Sequence, residues 1–152
     1  MVMTRKKLIR VIDRDKIKEA IEKAEHRTSG EIRVSVASFF WGNVHKAAEK
    51  AFERLGMTRT RDRNGILFFV VPARRKFVVL GDSGIHERVG QQFWHRVVDV
   101  VTERFRTGDF TGGLIRGIEE VGEQLATHFP YDAVADVDEL SDDVDFGGKS
   151  EP

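Results

Sequence analysis

The chain has 152 residues, 40% of them hydrophobic, with 25 basic residues, 25 acidic residues and no cysteine. That is room for one domain with a single sizeable core, and it excludes disulfides and thiolate metal sites. No apolar run reaches membrane-spanning length, and the basic start MVMTRKKLIRVIDRDK lacks the apolar segment of a signal peptide, so the expectation is a cytoplasmic protein without membrane insertion.

Ile17, Ala20, Ile21 and Ala24 recur at helical spacing. This predicts an amphipathic helix from residue 13 to about 27, with Asp13 as N-cap and Thr28-Ser29-Gly30 as its end. Residues 31–38 alternate, with Ile32, Val34 and Val36 on one face and Arg33 and Ser35 on the other, which reads as a half-covered strand. Phe39-Phe40-Trp41-Gly42 forms a bulky aromatic loop, and Asn43 can cap the next helix. There Ala47, Ala48, Ala51, Phe52 and Leu55 share a face and Gly56 closes it. A loop with Arg59, Arg61 and Arg63 follows.

The next stretch, NGILFFVVPARRKFVVLGDSGI, holds two apolar runs, 65–71 and 77–80, on either side of Pro72-Ala73-Arg74-Arg75. Each is too short for a typical helix and rich in Val, Phe and Ile, so the pair reads as an antiparallel hairpin. Neither run alternates, which predicts that both faces are covered and that the hairpin is the centre of the core. Gly81-Asp82-Ser83-Gly84 turns the chain out. Val89, Trp94, Val97, Val98, Val101 and Phe105 mark a long helix, which Arg106-Thr107-Gly108-Asp109 breaks. Leu114, Ile115, Ile118, Val121, Leu125 and Phe129 give a last helix, stopped by Pro130. The order is αβαββαα. A helical crossover makes the first two strands parallel, so Glu31, Asp62 and Asp82 fall at one end of the sheet and Ser38, Arg74 and Arg75 at the other.

Charge divides the chain. Residues 1–130 carry 24 basic and 17 acidic residues, whereas 131–152 carry eight acidic residues against Lys149 alone. The reading is an α/β domain over 1–130 and an acidic, flexible tail over 131–152 that neutralises it by electrostatic docking. A nucleic-acid partner is not expected, and the oligomeric state is open.

Several groups are candidates for chemistry. Gly81-Asp82-Ser83-Gly84 superficially matches the nucleophile loop of serine proteases, but capping of the following helix by Asp82 or Ser83 is the simpler reading. Gly112-Gly113 reads as close helix packing rather than an anion site. Arg74, Arg75 and Arg106 could hold a phosphate, with exposed hairpin arginines as the plainer account. Glu31, Asp62 and Asp82 can converge beside the carbonyls of a glycine-containing turn, an oxygen-rich site of the kind calcium or magnesium takes. Pairing of these acids with Arg33, Arg61 or Arg63 is the alternative, and the sequence leaves both open.

Thr28-Ser29-Gly30-Glu31-Ile32-Arg33-Val34, Arg63-Asn64-Gly65-Ile66-Leu67 and Gly81-Asp82-Ser83-Gly84-Ile85-His86 resemble motifs of the TPM domain family. Phe93-Trp94, Phe105-Arg106-Thr107-Gly108-Asp109-Phe110, Gly113-Leu114 and His128-Phe129-Pro130 look similar as well. The resemblance implies a Rossmann-like three-layer α/β/α sandwich with a small mixed sheet and a central antiparallel hairpin. It also implies binding of a divalent cation, Ca2+ or Mg2+, and a metal-assisted phosphatase or nucleotide phosphohydrolase acting on a phosphate-containing small molecule. A non-catalytic, metal-responsive protein-interaction module is the alternative. The family's membrane and lumenal members commonly carry Asp in the hairpin turn, where this chain has Ala73-Arg74-Arg75. Asp109, in the Gly-Asp-aromatic segment, joins Glu31, Asp62 and Asp82 as a candidate metal ligand, with helix capping as its other reading.

Overall fold

A computed structural model describes residues 7, 10–131 and 140–147. Helix α1 spans Arg14–Glu25, and the Asp13 carboxylate accepts from the Lys16 N–H at 3.1 Å to cap it. Strand β1 is Glu31–Val36, and helix α2 is Val44–Arg54, capped by Asn43 and closed by Gly56 at φ 70°. Strands β2, Gly65–Val71, and β3, Lys76–Gly81, flank a 3-10 turn at Pro72–Arg74. One-turn helix α3, Ser83–His86, then leads to α4, Gln91–Phe105, and α5, Phe110–His128. The predicted αβαββαα order stands, with the one-turn helix α3 added between β3 and α4. None of the described helices is long and apolar enough to cross a membrane.

The sheet order is β1-β2-β3, parallel between β1 and β2 and antiparallel between β2 and β3. Glu31 pairs with Gly65 and Ile66 with Gly81, so the start of β1, the start of β2 and the end of β3 share one end of the sheet. Every residue of the central strand β2 is buried. Each of its large side chains contributes about 1.5–3 kcal/mol relative to solvent exposure. Ile66, Phe68 and Val70 meet Ile32, Val34 and Val36 of β1 and the apolar faces of α1, α4 and α5. Leu67, Phe69 and Val71 face the other way, onto Ala48 and Ala51 of α2 and Met57. This is the expected three-layer sandwich.

Three details differ from the sequence reading. First, the hairpin strands are unequally covered: β3 is an edge strand in which Phe77 is buried while Val78, Val79 and Leu80 remain half-exposed. Second, β1 is covered on both faces; Glu31 and Ser35, on the face expected to meet solvent, are 3% and 1% exposed.

Third, the cover comes from the acidic C-terminal stretch. Residues 132–139 and 148–152 of that stretch lie outside the described residues. Residues 140–147 run parallel to the outer edge of β1, where the Val36 N–H donates to the Asp145 carbonyl (2.7 Å) and the Asp145 N–H donates to the Val34 carbonyl (2.9 Å). Phe146, 4% exposed, enters the larger half of the core, with Val144 packed beside it, and Leu140 packs on the opposite face. The Asp145 carboxylate accepts from Ser35 Oγ at 2.8 Å and from Arg54 Nη1 and Nη2 at 3.2 and 2.7 Å. Attachment of these eight residues is thus apolar and backbone-mediated as well as electrostatic.

Gly113 shows why the last helix can sit so close. A Cβ there would lie 2.9 Å from the Phe105 ring and from the Val101 carbonyl. The small residue lets α5 press onto α4, as the sequence suggested for Gly112-Gly113.

Candidate functional site

The polar residues buried at one end of the sheet are Glu31, Asn64, Thr60 and Asp82. Asp82 follows β3 and is fixed by backbone pairing, its N–H donating to the Gly65 carbonyl at 2.9 Å. Its carboxylate accepts from Arg63 Nε at 2.6 Å and Nη2 at 2.8 Å, a two-pronged ion pair, and caps α3 through the Ser83 N–H at 2.8 Å. Arg63 adopts φ 51°, in the left-handed region, and this turn of the backbone brings its guanidinium onto Asp82. The hydrogen bond and charge of Asp82 hold the guanidinium's pKa above its ordinary value. Gly84 nests against the same loop: its N–H donates to the Arg63 carbonyl at 2.7 Å, and a Cβ would sit 2.1 Å from the Asp62 carbonyl oxygen.

The alternative in which arginines pair with the acids is therefore the observed one for two predicted ligands. Asp82 faces Arg63, and Asp62 faces Arg61 at 3.0 Å in a half-exposed pair. Asp109 is elsewhere. It caps α5 through the Gly112 N–H at 2.9 Å and meets Arg104 at 3.3 Å. Because α5 begins there and ends at His128, beside the start of β1, its 19 residues put about 28 Å between Asp109 and the Glu31 end. The Ser83 segment is a helix start capped by Asp82, and the His86 ring turns to stack on Trp94.

Glu31 belongs to a different cluster, which the sequence did not suggest. Its Oε1 accepts from the Leu140 N–H at 2.9 Å, so it holds down the docked C-terminal segment. Glu25, in the last turn of α1, points to the same place, and its Oε2 accepts from the Ile32 N–H at 2.8 Å. Beside it is Asp142, whose buried Oδ1 finds no donor among the described groups. Burial first, then the hydrogen bond and charge of Asp142 and the charge of Glu31, push the Glu25 carboxyl far above the usual carboxylate range. The raised pKa of Glu25 favours its neutral, protonated form, which eases the repulsion among the acids. Chemically the arrangement can release a proton to solvent and take another cation in its place. Among the described residues, no group of three or more His, Cys, Asp or Glu side chains is already arranged to hold a metal ion. The donor set itself, carboxyl oxygens only, suits a hard cation.

Glu25 was missed because it sits on the polar face of an amphipathic helix, and Asp142 because it lies in the acidic tail. The one available signal was the short spacing between Glu25 and Glu31 across the helix-to-strand turn. A groove of about 680 Å3 between α1 and α5 is lined by charges of both signs and is not part of this cluster.

A family model described as TPM domain matches residues 2–124. BA42 protein from the psychrophilic bacterium Bizionia argentinensis, solved by NMR, is similar, with 36% sequence identity and a TM-score of 0.83. The match covers 89% of this chain and 92% of BA42. The N-terminal domain of cg2496 protein from Corynebacterium glutamicum has a TM-score of 0.58 at 17% identity, over 73% of this chain and 70% of that one, a likeness of fold alone. No curated protein matches.

Proposed function

Because the chain belongs to the TPM domain family, we propose that it works as a divalent-cation-responsive interaction module, with Glu25, Glu31 and Asp142 taking calcium or magnesium in place of their proton. The observation that carries this reading is the burial of Glu25 beside Asp142 and Glu31, which raises its carboxyl's pKa. This is a site where excess negative charge favours a proton, the smallest exchangeable cation. When bound, the cation supplies the positive charge that the proton supplies otherwise. Glu31 also holds the C-terminal segment, to which Asp142 belongs, so exchange at the cluster is coupled to the docking of that segment on β1. Cation affinity rises with pH, because protons compete for the same oxygens.

The original set of Glu31, Asp62 and Asp82 receives less support, since Asp62 and Asp82 would first have to leave Arg61 and Arg63. The phosphohydrolase reading takes a cation-positioned water as its nucleophile and needs a base beside it. Asp82 is paired with Arg63 and caps the helix at Ser83, which places it poorly for that role, so binding without turnover is the better-supported function.

The test is a calcium titration near neutral pH that follows melting temperature, proton release and amide shifts. The melting temperature should climb with calcium by mass action, by the equivalent of about 2.7 kcal/mol at 100 times the dissociation constant. Protons should be released on binding, and Glu25→Gln should abolish that release. Amide shifts should centre on residues 25, 31 and 140–142. Shifts centred on 62–65 and 81–84 would move the site to Asp62 and Asp82, and no change in melting temperature would reject cation binding. Magnesium-dependent turnover of nitrophenyl phosphate, ATP or ADP would replace the module by the phosphohydrolase.

A further inference from the structure

The opposite end of the sheet carries an aromatic loop and a group of cations that the carboxyl cluster leaves unused. Beyond β1 the chain runs through Phe39-Phe40-Trp41-Gly42 before Asn43 caps α2. Trp41 is 89% exposed and stands edge-on to Phe39, with ring centroids 4.8 Å apart. The loop is pinned from the hairpin turn: Arg74 Nη1 donates to the Phe40 carbonyl at 3.2 Å and the Gly42 carbonyl at 2.9 Å, and its guanidinium lies 5.4 Å above the Phe40 ring. The largest exposed apolar side chain is thus presented to solvent by a braced loop.

Positive charge gathers around it. Arg75, Lys76, Lys46 and Arg106 are exposed, and Arg75 Nη1 donates to the Arg106 carbonyl at 2.9 Å, which ties the hairpin turn to the end of α4. Arg54, Arg61, Arg63 and Arg104 each face a carboxylate. Among the described residues, Lys46, Arg74, Arg75, Lys76 and Arg106 face none; Arg74 and Arg75 donate to backbone carbonyls instead.

We propose that this end of the domain docks on an anionic lipid surface, with Trp41 in the headgroup layer and Arg74, Arg75, Lys76 and Lys46 against the headgroup phosphates. An indole has an apolar body and a polar N–H, and it settles where hydrocarbon meets water. Basic residues near such a surface each add to affinity, and the attraction fades with salt. A single-stranded nucleic acid fits less well. It needs a row of stacking platforms, whereas here Trp41 and Phe39 engage each other edge-on and Phe40 lies under Arg74. One aromatic anchor plus a basic patch gives weak, reversible adsorption and leaves the domain outside the hydrocarbon.

Arg75 allows a clean test, because it occupies φ 51°, where glycine carries no steric cost. Arg75→Gly removes the charge and relieves the backbone at once. The full chain is mixed with phosphatidylcholine vesicles containing or lacking phosphatidylserine, and co-flotation and tryptophan emission are read at low and high salt. Flotation is expected with the anionic vesicles alone, with a blue shift in emission, and both should vanish at high salt. Trp41→Ala should abolish the blue shift, since Trp94 is already 7% exposed, and should leave the melting temperature unchanged. Arg75→Gly should weaken flotation about fivefold. Equal flotation with neutral and anionic vesicles, flotation that both variants retain in full, or no flotation overturns the proposal. So does an emission change on a single-stranded oligonucleotide without flotation, which would make the partner a nucleic acid.

Discussion

Replacing Phe146 with alanine should destabilise the whole domain, although the residue lies in the acidic C-terminal stretch. Phe146 is 4% exposed and belongs to the larger core cluster, so truncation removes a buried ring and leaves a cavity that the sheet edge can only partly close. Such a change costs about 3–5 kcal/mol. In a chain of this size each kcal/mol moves the melting temperature by about 2–4 °C, which gives a fall of about 6–20 °C. The comparison is Asp143→Ala three residues earlier. Asp143 meets Lys18 at 3.0 Å, but the two side chains are 70% and 43% exposed. An exposed pair of this kind is worth at most about 1 kcal/mol, so its loss should shift the midpoint by under about 4 °C. Circular dichroism melts of both variants, with far-ultraviolet spectra to verify native content at low temperature, measure the difference. If Phe146→Ala melts within about 2 °C of the parent, the segment is an ornament on the sheet rather than part of the core, and the reasoning fails.

Two further outcomes follow from the candidate site. Glu25 titrates near 4.5 ordinarily and is raised in the folded protein, so the native state keeps a proton that the unfolded chain releases. Its stabilising contribution is complete below that ordinary value and declines as pH rises towards the folded value, by at most about 1.4 kcal/mol per unit. Glu25→Gln keeps a neutral, hydrogen-bonding group there, so melting curves between pH 5 and pH 9 should show the variant gaining on the parent as pH rises, and a constant gap would reject the raised pKa of Glu25. Gly84→Ala should cost about 1–3 kcal/mol or more, because its Cβ would fall 2.1 Å from one backbone carbonyl and 2.6 Å from the next. An unchanged melting temperature in that variant would mean the turn does not rest on the Arg63 loop.

Much of the fold could be read from local pattern. The unbroken apolar run of β2 marks a strand covered on both faces, and the caps Asp13, Asn43 and Asp109 follow from their place before apolar periodic stretches. The cover on β1 could not be read that way. Ser35 and Glu31 occupy alternate positions that look like a solvent face, and they are buried only because partners arrive from residues 145 and 140. The same contact, by burying Glu25 beside Asp142, raises its carboxyl's pKa. For Asp82 the sequence left cation and arginine equally open, and the left-handed φ of Arg63, which no local pattern demands of an arginine, decides for the arginine. The family resemblance groups Asp109 with the other acids, but α5 separates it from them by its full length.

The lid on β1 also has a consequence for the protein as it is being made. Ser35 and its partner Asp145 are 110 residues apart. At about 5–20 residues per second, a ribosome adds the second roughly 5–20 seconds after the first. Once residues 65–71 have been made, β1 can pair with β2 while its outer edge still offers free N–H and C=O groups. A nascent chain in that state is a template for pairing with its neighbours on the same message. Chaperone demand during synthesis should therefore be set by how soon Phe146 emerges, rather than by how fast the helices fold.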